Sequence, residues 1–316
     1  MRKRWIILLV CTIFFIAAVI GGTFKFSKKE KPKIVVVLKE SNTQYWKTVE
    51  AGAEKAFDDF DIGGKVVAPE SVYPVVNQIN ILKQVLKEKP EALIFAPSQP
   101  SMAIPVLKEY KKNHIPVLFV DSEADWDDQT AFIGTDNPML GKQAGELLAS
   151  MLQPGNEVVL IGGVDPVYTE RIEGAKGALE AVGIKVSEKQ LGYDEAGKVK
   201  SVMENILQHN PEVKGVFAAN DLMALDALKV IKDKGLKIPV VGADGIIDMV
   251  KNIKTGTLTS TIAQNPYDMG YVGVENALKA IKGTKVQKRI DSGVDIITKD
   301  NAGEKLDFLE KILVRK

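Results

Sequence analysis

From residue 33 onward, short runs of apolar, often β-branched residues alternate with longer stretches whose apolar positions return every three or four residues. The runs predict strands over Ile34–Leu38, Lys65–Ala68, Ala92–Phe95, Val117–Val120, Phe132–Gly134, Glu157–Ile161, Lys185–Ser187, Gly215–Ala219, Val240–Gly242 and Thr257–Ile262. The longer stretches predict helices over Tyr45–Phe60, Pro74–Lys87, Ser101–Asn113, Pro138–Leu152, Thr169–Val182, Ala196–Gln208, Leu222–Lys234, Met249–Thr255 and Asp268–Lys282. Runs such as Val35-Val36-Val37-Leu38 are apolar at every position, as a strand covered on both faces must be. Alternation of such strands with helices predicts an α/β protein built from parallel sheets. The series restarts at Glu157-Val158-Val159-Leu160-Ile161, much as it opened at Lys33-Ile34-Val35-Val36-Val37. Two doubly wound parallel-sheet lobes follow, each of ordinary domain size.

The first 32 residues break this pattern. Arg2, Lys3 and Arg4 precede an uncharged apolar run from Trp5 to Phe24, and Lys25, Lys28, Lys29, Lys31 and Lys33 come after it. About 20 apolar residues suffice for a membrane-spanning helix. A cleaved signal peptide has a shorter apolar region, about 7–15 residues, and a small-residue cleavage site. The run is longer than that and ends in Val19-Ile20-Gly21-Gly22, so an uncleaved N-terminal transmembrane anchor is expected, with a cleaved signal as the alternative. The remainder of the chain then lies outside the cytoplasm. Cys11, the sole cysteine, sits inside the run between Val10 and Thr12-Ile13-Phe14, without the small-then-polar context of a lipid attachment site. It excludes an internal disulfide and a cysteine-based metal cluster.

Composition narrows the function. With 45% hydrophobic and 26% charged residues in 316, the chain is globular, and 42 basic against 41 acidic residues leave no basic field for nucleic acid. His114 and His209 end helical stretches without metal-ligand spacing, so neither metal nor cofactor is expected. Gly141 to Gly145 and Gly162-Gly163 match no phosphate-binding fingerprint. No G-x-S-x-G elbow is present, and Asp127-Asp128 lies in a polar loop. No enzymatic constellation emerges, and the remaining alternative, an extracytoplasmic carbohydrate-active enzyme, would have to rest on carboxylate pairs alone.

In open parallel sheets, ligands bind outside the carboxyl ends of the strands. Here those ends carry Asp121 after Val120, Asp136 and Asn137 after Gly134, Asn220 and Asp221 after Ala219, Asp244 after Ala243, and Gln264 after Ala263. Each is a planar amide or carboxylate able to engage two adjacent hydroxyls, as an uncharged sugar requires. Any one of them could instead cap the next helix. Tyr45 and Trp46 add aromatic faces that could pack on a sugar ring or simply fill the core.

Several segments are quotable as motifs: N-T-Q-Y-W at residues 42–46, G-V-F-A-A-N-D-L-M-A-L-D-A-L from Gly215, V-V-G-A-D-G from Val240 and T-I-A-Q-N-P-Y-D-M-G from Thr261. Through them, residues 33–301 resemble the ribose-type periplasmic sugar-binding proteins, whose type I fold is shared with the ligand domain of the lactose-repressor family. The resemblance implies two lobes joined by three crossovers, near Asp136, Gln264 and Ser292-Gly293. It divides the chain into residues 33–135 with 265–292, residues 136–264 with 293–301, and a helical tail over 302–316. It also implies a monomer that binds a small sugar or polyol at Tyr45, Trp46, Asp121, Asn137, Asn220, Asp244 and Gln264, with Tyr193 and Arg171 (or its neighbour Thr169) as further contacts. The partner would be a membrane permease or, alternatively, a sensor kinase or chemoreceptor. Three positions depart from the family's pattern: Ser122 replaces an arginine, Ala243 an aromatic residue, and Lys39 a small polar residue.

Overall fold

A computed structural model describes residues 31–163, 166–190 and 198–313. The apolar run over residues 5–24, with Cys11, and the expected contact Tyr193 lie outside the described residues. Among the described residues, no helix is long and apolar enough to cross a membrane. Residues 33–316 form one compact unit.

The chain begins β1 (Ile34–Val37), α1 (Gln44–Asp59), β2 (Lys65–Val67), α2 (Val76–Lys87), β3 (Ala92–Phe95), α3 (Pro100–Lys112), β4 (Val117–Val120) and β5 (Ala131–Gly134). It continues α4 (Asn137–Ala149), β6 (Glu157–Ile161), α5 (Pro166–Ala181), β7 (Lys185–Gln190), α6 (Lys198–His209), β8 (Val213–Ala218), α7 (Asp221–Asp233), β9 (Val240–Asp244), α8 (Ile247–Lys254) and β10 (Ser260–Gln264). It closes with α9 (Pro266–Ile281), β11 (Arg289–Asp291), β12 (Val294–Ile297) and α10 (Ala302–Leu313). One sheet has the order β2-β1-β3-β4-β5-β11 and the other β7-β6-β8-β9-β10-β12. Each order reverses beside its first strand, the doubly wound arrangement that leaves a crevice at the strand ends.

Among the described residues every strand pair is parallel except one. β12 runs antiparallel to β10, with Gln264 opposite Val294. The sequence reading missed both β12 and β11 because they are only four and three residues long, lie at sheet edges and are half exposed. Among the described residues strict alternation also fails twice, since β4 passes to β5, and β11 to β12, without a helix between them. The chain passes between the two sheets at residues 135–136, 265 and 292–293.

Side chains of each strand alternate between two cores, as the two-residue strand period demands. On β1, Ile34 and Val36 pack with Val49 and Ala53 of α1 and with Met269 and Val274 of α9. Val35 and Val37 face Ile79 and Leu82 of α2 and Leu107 of α3. In the second sheet, Val158 and Leu160 face α4 and α5, while Val159 and Ile161 face α6, α7, α8 and α10.

Glycines set how closely some helices approach. A Cβ on Gly52 of α1 would lie 1.9 Å from the Tyr267 carbonyl oxygen, and one on Gly270 of α9 would lie 2.0 Å from that of Val49. Gly141 of α4 stands in the same relation to Arg171 of α5, with a Cβ 2.0 Å from its carbonyl oxygen. These contacts seat α1, which carries Tyr45, on α9, and α5, which carries Arg171, on α4.

Gly52→Ala is therefore expected to destabilise the protein by about 1–3 kcal/mol through overpacking. Gly177→Ala, at an exposed α5 position with nothing within 4 Å of a new Cβ, should instead be stabilising by about 0.5–1 kcal/mol. Urea unfolding midpoints that shift in the same direction for both would contradict the helix contact.

Candidate ligand-binding site

β4 ends in the buried run Val117–Val120, and the next residue turns the chain sharply. Asp121 has φ +65°, a left-handed conformation that aspartate tolerates better than most side chains. Its N–H donates to the Ile133 carbonyl at 3.0 Å and that of Ser122 to Val120 at 2.7 Å, fixing the turn. The Asp121 carboxylate accepts from the Tyr45 hydroxyl at 2.6 Å and pairs with the Lys39 ammonium at 3.1 Å. Tyr45 stands in the first turn of α1, edge to face with Trp46 at 5.1 Å between centroids. Trp46 is buried in the first lobe's core, and the Lys39 ammonium lies 5.5 Å from its ring centroid.

The second sheet presents the matching half. Asp244, at the end of β9, has φ +114°. Its Oδ1 accepts from Arg171 at 2.9 Å and from Gln264 Nε2 at 2.6 Å. Arg171 is 2% exposed. Its Nε donates to Asn137 Oδ1 at 2.9 Å, and its Nη1 also donates to the Ala219 carbonyl at 2.8 Å. Gln264 Oε1 in turn accepts from Thr135 at 2.8 Å, with the Tyr45 hydroxyl, whose proton is directed at Asp121, 3.4 Å away. A continuous polar chain thus runs Lys39, Asp121, Tyr45, Gln264, Asp244, Arg171, Asn137. Nearby, Gln44 Oε1 accepts from the Ile247 N–H at 3.2 Å, a second link between the two halves.

Two carboxylates face two cations, so the ring carries no net charge and suits an uncharged ligand. Burial pushes the Tyr45 hydroxyl well above its ordinary pKa, and the charges of Asp121 and Asp244 push the same way. Burial also raises Asp244, while Arg171 and Gln264 draw it back. For Arg171, burial works against the cation, but Asp244 with Tyr168 and Tyr45 more than offsets this, and the guanidinium holds its proton more tightly than usual.

Of the residues expected from sequence, Tyr45, Asp121, Asn137, Arg171, Asp244 and Gln264 meet in this chain. Asn220 stands outside it and has a capping role: its Oδ1 accepts from the Met223 N–H at 2.8 Å at the start of α7, and its Nδ2 donates to the Tyr168 hydroxyl at 3.2 Å. Asp136 likewise caps α4. Sequence reasoning overlooked Thr135 and Tyr168 and recognised Lys39 only as an oddity. It also read Asp221 only as one more strand-end acid that could meet a hydroxyl or cap a helix. Asp221 is fully buried; its Oδ2 accepts from the N–H groups of Gly245 (2.6 Å) and Ile246 (2.9 Å), and its Oδ1 from Thr261 (2.7 Å). It thereby fixes the turn that carries Asp244. Gly242 makes room, since a Cβ there would lie 2.4 Å from Asp221 Oδ1.

Two cavities flank the ring. One, of about 660 Å³, shares Tyr45, Asp244 and Gln264 with it. The other, of about 530 Å³, shares Asp121 and Asn137.

The family follows from comparison. Residues 34–285 match the model described as a periplasmic binding protein domain, and the chain belongs to that family, on its ribose-type branch. The ribose import binding protein of Haemophilus influenzae is 29% identical over 284 residues, covering 89% of this chain and 97% of the relative. That of Salmonella typhimurium is 30% identical over 286 residues, covering 90% and 96%. Among solved structures, a carbohydrate transporter solute binding protein from Agrobacterium radiobacter in complex with D-arabinose superposes with a TM-score of 0.79 at 28% identity, over 90% of this chain and 99% of that one. A periplasmic solute binding protein of an ABC transporter from Actinobacillus succinogenes, with bound D-allose, gives 0.80 at 26% identity, over 87% and 100%. These relatives are binding proteins rather than enzymes, and the family's place is outside the cytoplasm.

Asp221 receives three donors and gives none, so Asp221→Asn places an amide N–H₂ among donors and should cost about 1–3 kcal/mol. Equal unfolding midpoints for the variant and the parent would refute its role as an acceptor. Burial, with repulsion from Asp244, also holds Asp221 well above the usual carboxylate range. Both acids therefore keep protons longer folded than unfolded, and stability should fall as pH rises from about 4, the unfolded carboxylate value, through their raised values. Asp244→Asn removes one of these groups and the repulsion on the other, so its stability profile against pH should be flatter than the parent's.

Proposed function

We propose that this chain captures a small, uncharged sugar or polyol between its two lobes, as the solute-binding component of an ABC-type importer. The charge-balanced polar ring, contributed by both sheets, carries the reading. Sugar hydroxyls both donate and accept, so they can take over the bonds that Asp121, Tyr45, Gln264, Asp244 and Arg171 make to one another. Relatives named for ribose or solved with D-allose or D-arabinose support the ligand class. The lobes, residues 33–135 with 265–292 and 136–264 with 293–301, would rotate about the three passages between the sheets. A ligand touching both lobes favours the closed state through contacts the open state lacks.

Ribose itself is not carried over. Ser122 removes a guanidinium fork and Ala243 an aromatic wall, while Lys39 adds a compact ammonium on the opposite side of Asp121, which changes both shape and hydrogen bonding. A second reading makes the protein a sensing subunit that hands its closed shape to a membrane histidine kinase or chemoreceptor. The apolar run over residues 5–24 favours it, because an uncleaved anchor would hold the lobes beside such a partner.

A thermal-shift screen of pentoses, hexoses and polyols tests the ligand class: a sugar present at about 100 times its Kd should add about 2.7 kcal/mol of stability. Asp121→Asn, which keeps the left-handed turn accessible but loses the charge, should weaken that sugar at least about tenfold. Conversion of any sugar into product, or an unchanged affinity in the variant, would count against the assigned ring.

A further inference from the structure

The ring has a neighbour that this reading leaves unused. Tyr45, Asp244 and Gln264 also wall the 660 Å³ cavity, whose remaining sides are the start of α8, the passage into α9, β12 and α10. A volume of that order is typical of a whole small-ligand site, about 300–1,000 Å³.

α10 is held firmly. Ala302, Leu306 and Leu309 are buried in the second lobe's core, and Lys305 pairs with Asp295 of β12 at 3.1 Å. Its other face carries Phe308 edge-on to Tyr267 of α9, with centroids 5.6 Å apart and an interplanar angle of 78°. Phe308 nonetheless stays 41% exposed, an aromatic surface left beside the cavity. The polar part of the wall supplies carboxylate acceptors from Asp268 and Glu304, while the Asn301 amide is engaged, its Oδ1 accepting from the Thr298 N–H at 2.8 Å and its Nδ2 donating to the Ile296 carbonyl at 2.9 Å. Aromatic surface beside carboxylates repeats part of the chemistry of the ring itself.

The geometry points to a second sugar subsite: the ligand is a neutral disaccharide, one unit at the polar ring and the other against Tyr267 and Phe308. The inference rests on the sugar-binding reading of the ring and goes beyond the monosaccharides that the solved relatives hold. Phe308 is exposed and outside the core, so its replacement leaves the fold intact.

Titration calorimetry of the full chain with monosaccharides and with disaccharides containing them tests this. A disaccharide should bind about tenfold tighter than its better monosaccharide, the scale of one aromatic contact with a few hydroxyl pairs. Phe308→Ala should erase that advantage while leaving monosaccharide affinity unchanged, and Phe308→Tyr should retain it. Disaccharides binding no tighter than monosaccharides would overturn the subsite, as would a Phe308→Ala effect equal on both. Tighter binding of aryl glycosides alone would overturn the sugar assignment of the second unit. Binding of monosaccharides alone would leave the ring's reading intact and remove only the subsite, whereas silence with every sugar would sink both.

Discussion

The buried side-chain amide of Gln264 ties the two halves together. Its oxygen accepts from Thr135 and lies beside the Tyr45 hydroxyl, both of which belong with the first sheet, while its nitrogen donates to Asp244 at the end of the second. A buried amide must satisfy a donor and an acceptor at once, and leaving either unmet costs about 1–3 kcal/mol. The two lobes can therefore meet in only a narrow set of positions. The same requirement explains why a ligand rich in hydroxyls can enter the arrangement, since such a ligand offers the same donors and acceptors that the ring now exchanges internally.

Around Gln264 the fold spends effort on placing charges. Both carboxylates of the ring sit in left-handed backbone, Asp121 at φ +65° and Asp244 at φ +114°, conformations that persist only where the surroundings impose them. Asp121 is held by the backbone bonds at the end of β4, and Asp244 by the turn that Asp221 anchors from below. Arg171 is buried with its charge, which is tolerable because Asn137, Ala219 and Asp244 all receive it. Its position depends in turn on Gly141, which lets α4 approach the α5 backbone. Packing and site chemistry are thus linked through the same few residues.

The alternation of apolar strands and amphipathic helices made the two lobes legible, because a parallel sheet covered on both sides leaves strands no polar positions. β11 and β12 escaped notice since three or four half-exposed residues carry no such signature, and the antiparallel turn of β12 depends on where a chain crossing lands. At the site, carboxylates and amides at strand ends pointed to the right region, and six of the expected side chains meet there. Asn220 shows the ambiguity of that signal, because an amide before a helix serves equally as its cap. Lys39 could be seen as unusual but not placed: only the fold brings the end of β1 beside the end of β4. Asp221, three residues before an Ala-Leu run, reads like an ordinary first-turn helix acid until its bonds to Gly245 and Ile246 are known.

Convergence of both lobes on one ligand can be measured across the crevice. Met102 at the start of α3 and Leu222 at the start of α7 are exposed on opposite halves. With Cys11 replaced by serine, spin labels at Met102→Cys and Leu222→Cys report the distance between them by pulsed electron resonance. The expected result is a distance distribution that contracts to one shorter, narrower population when a binding sugar is added. A sugar that binds with measurable heat yet leaves the distribution unchanged would contradict closure of the two lobes around it.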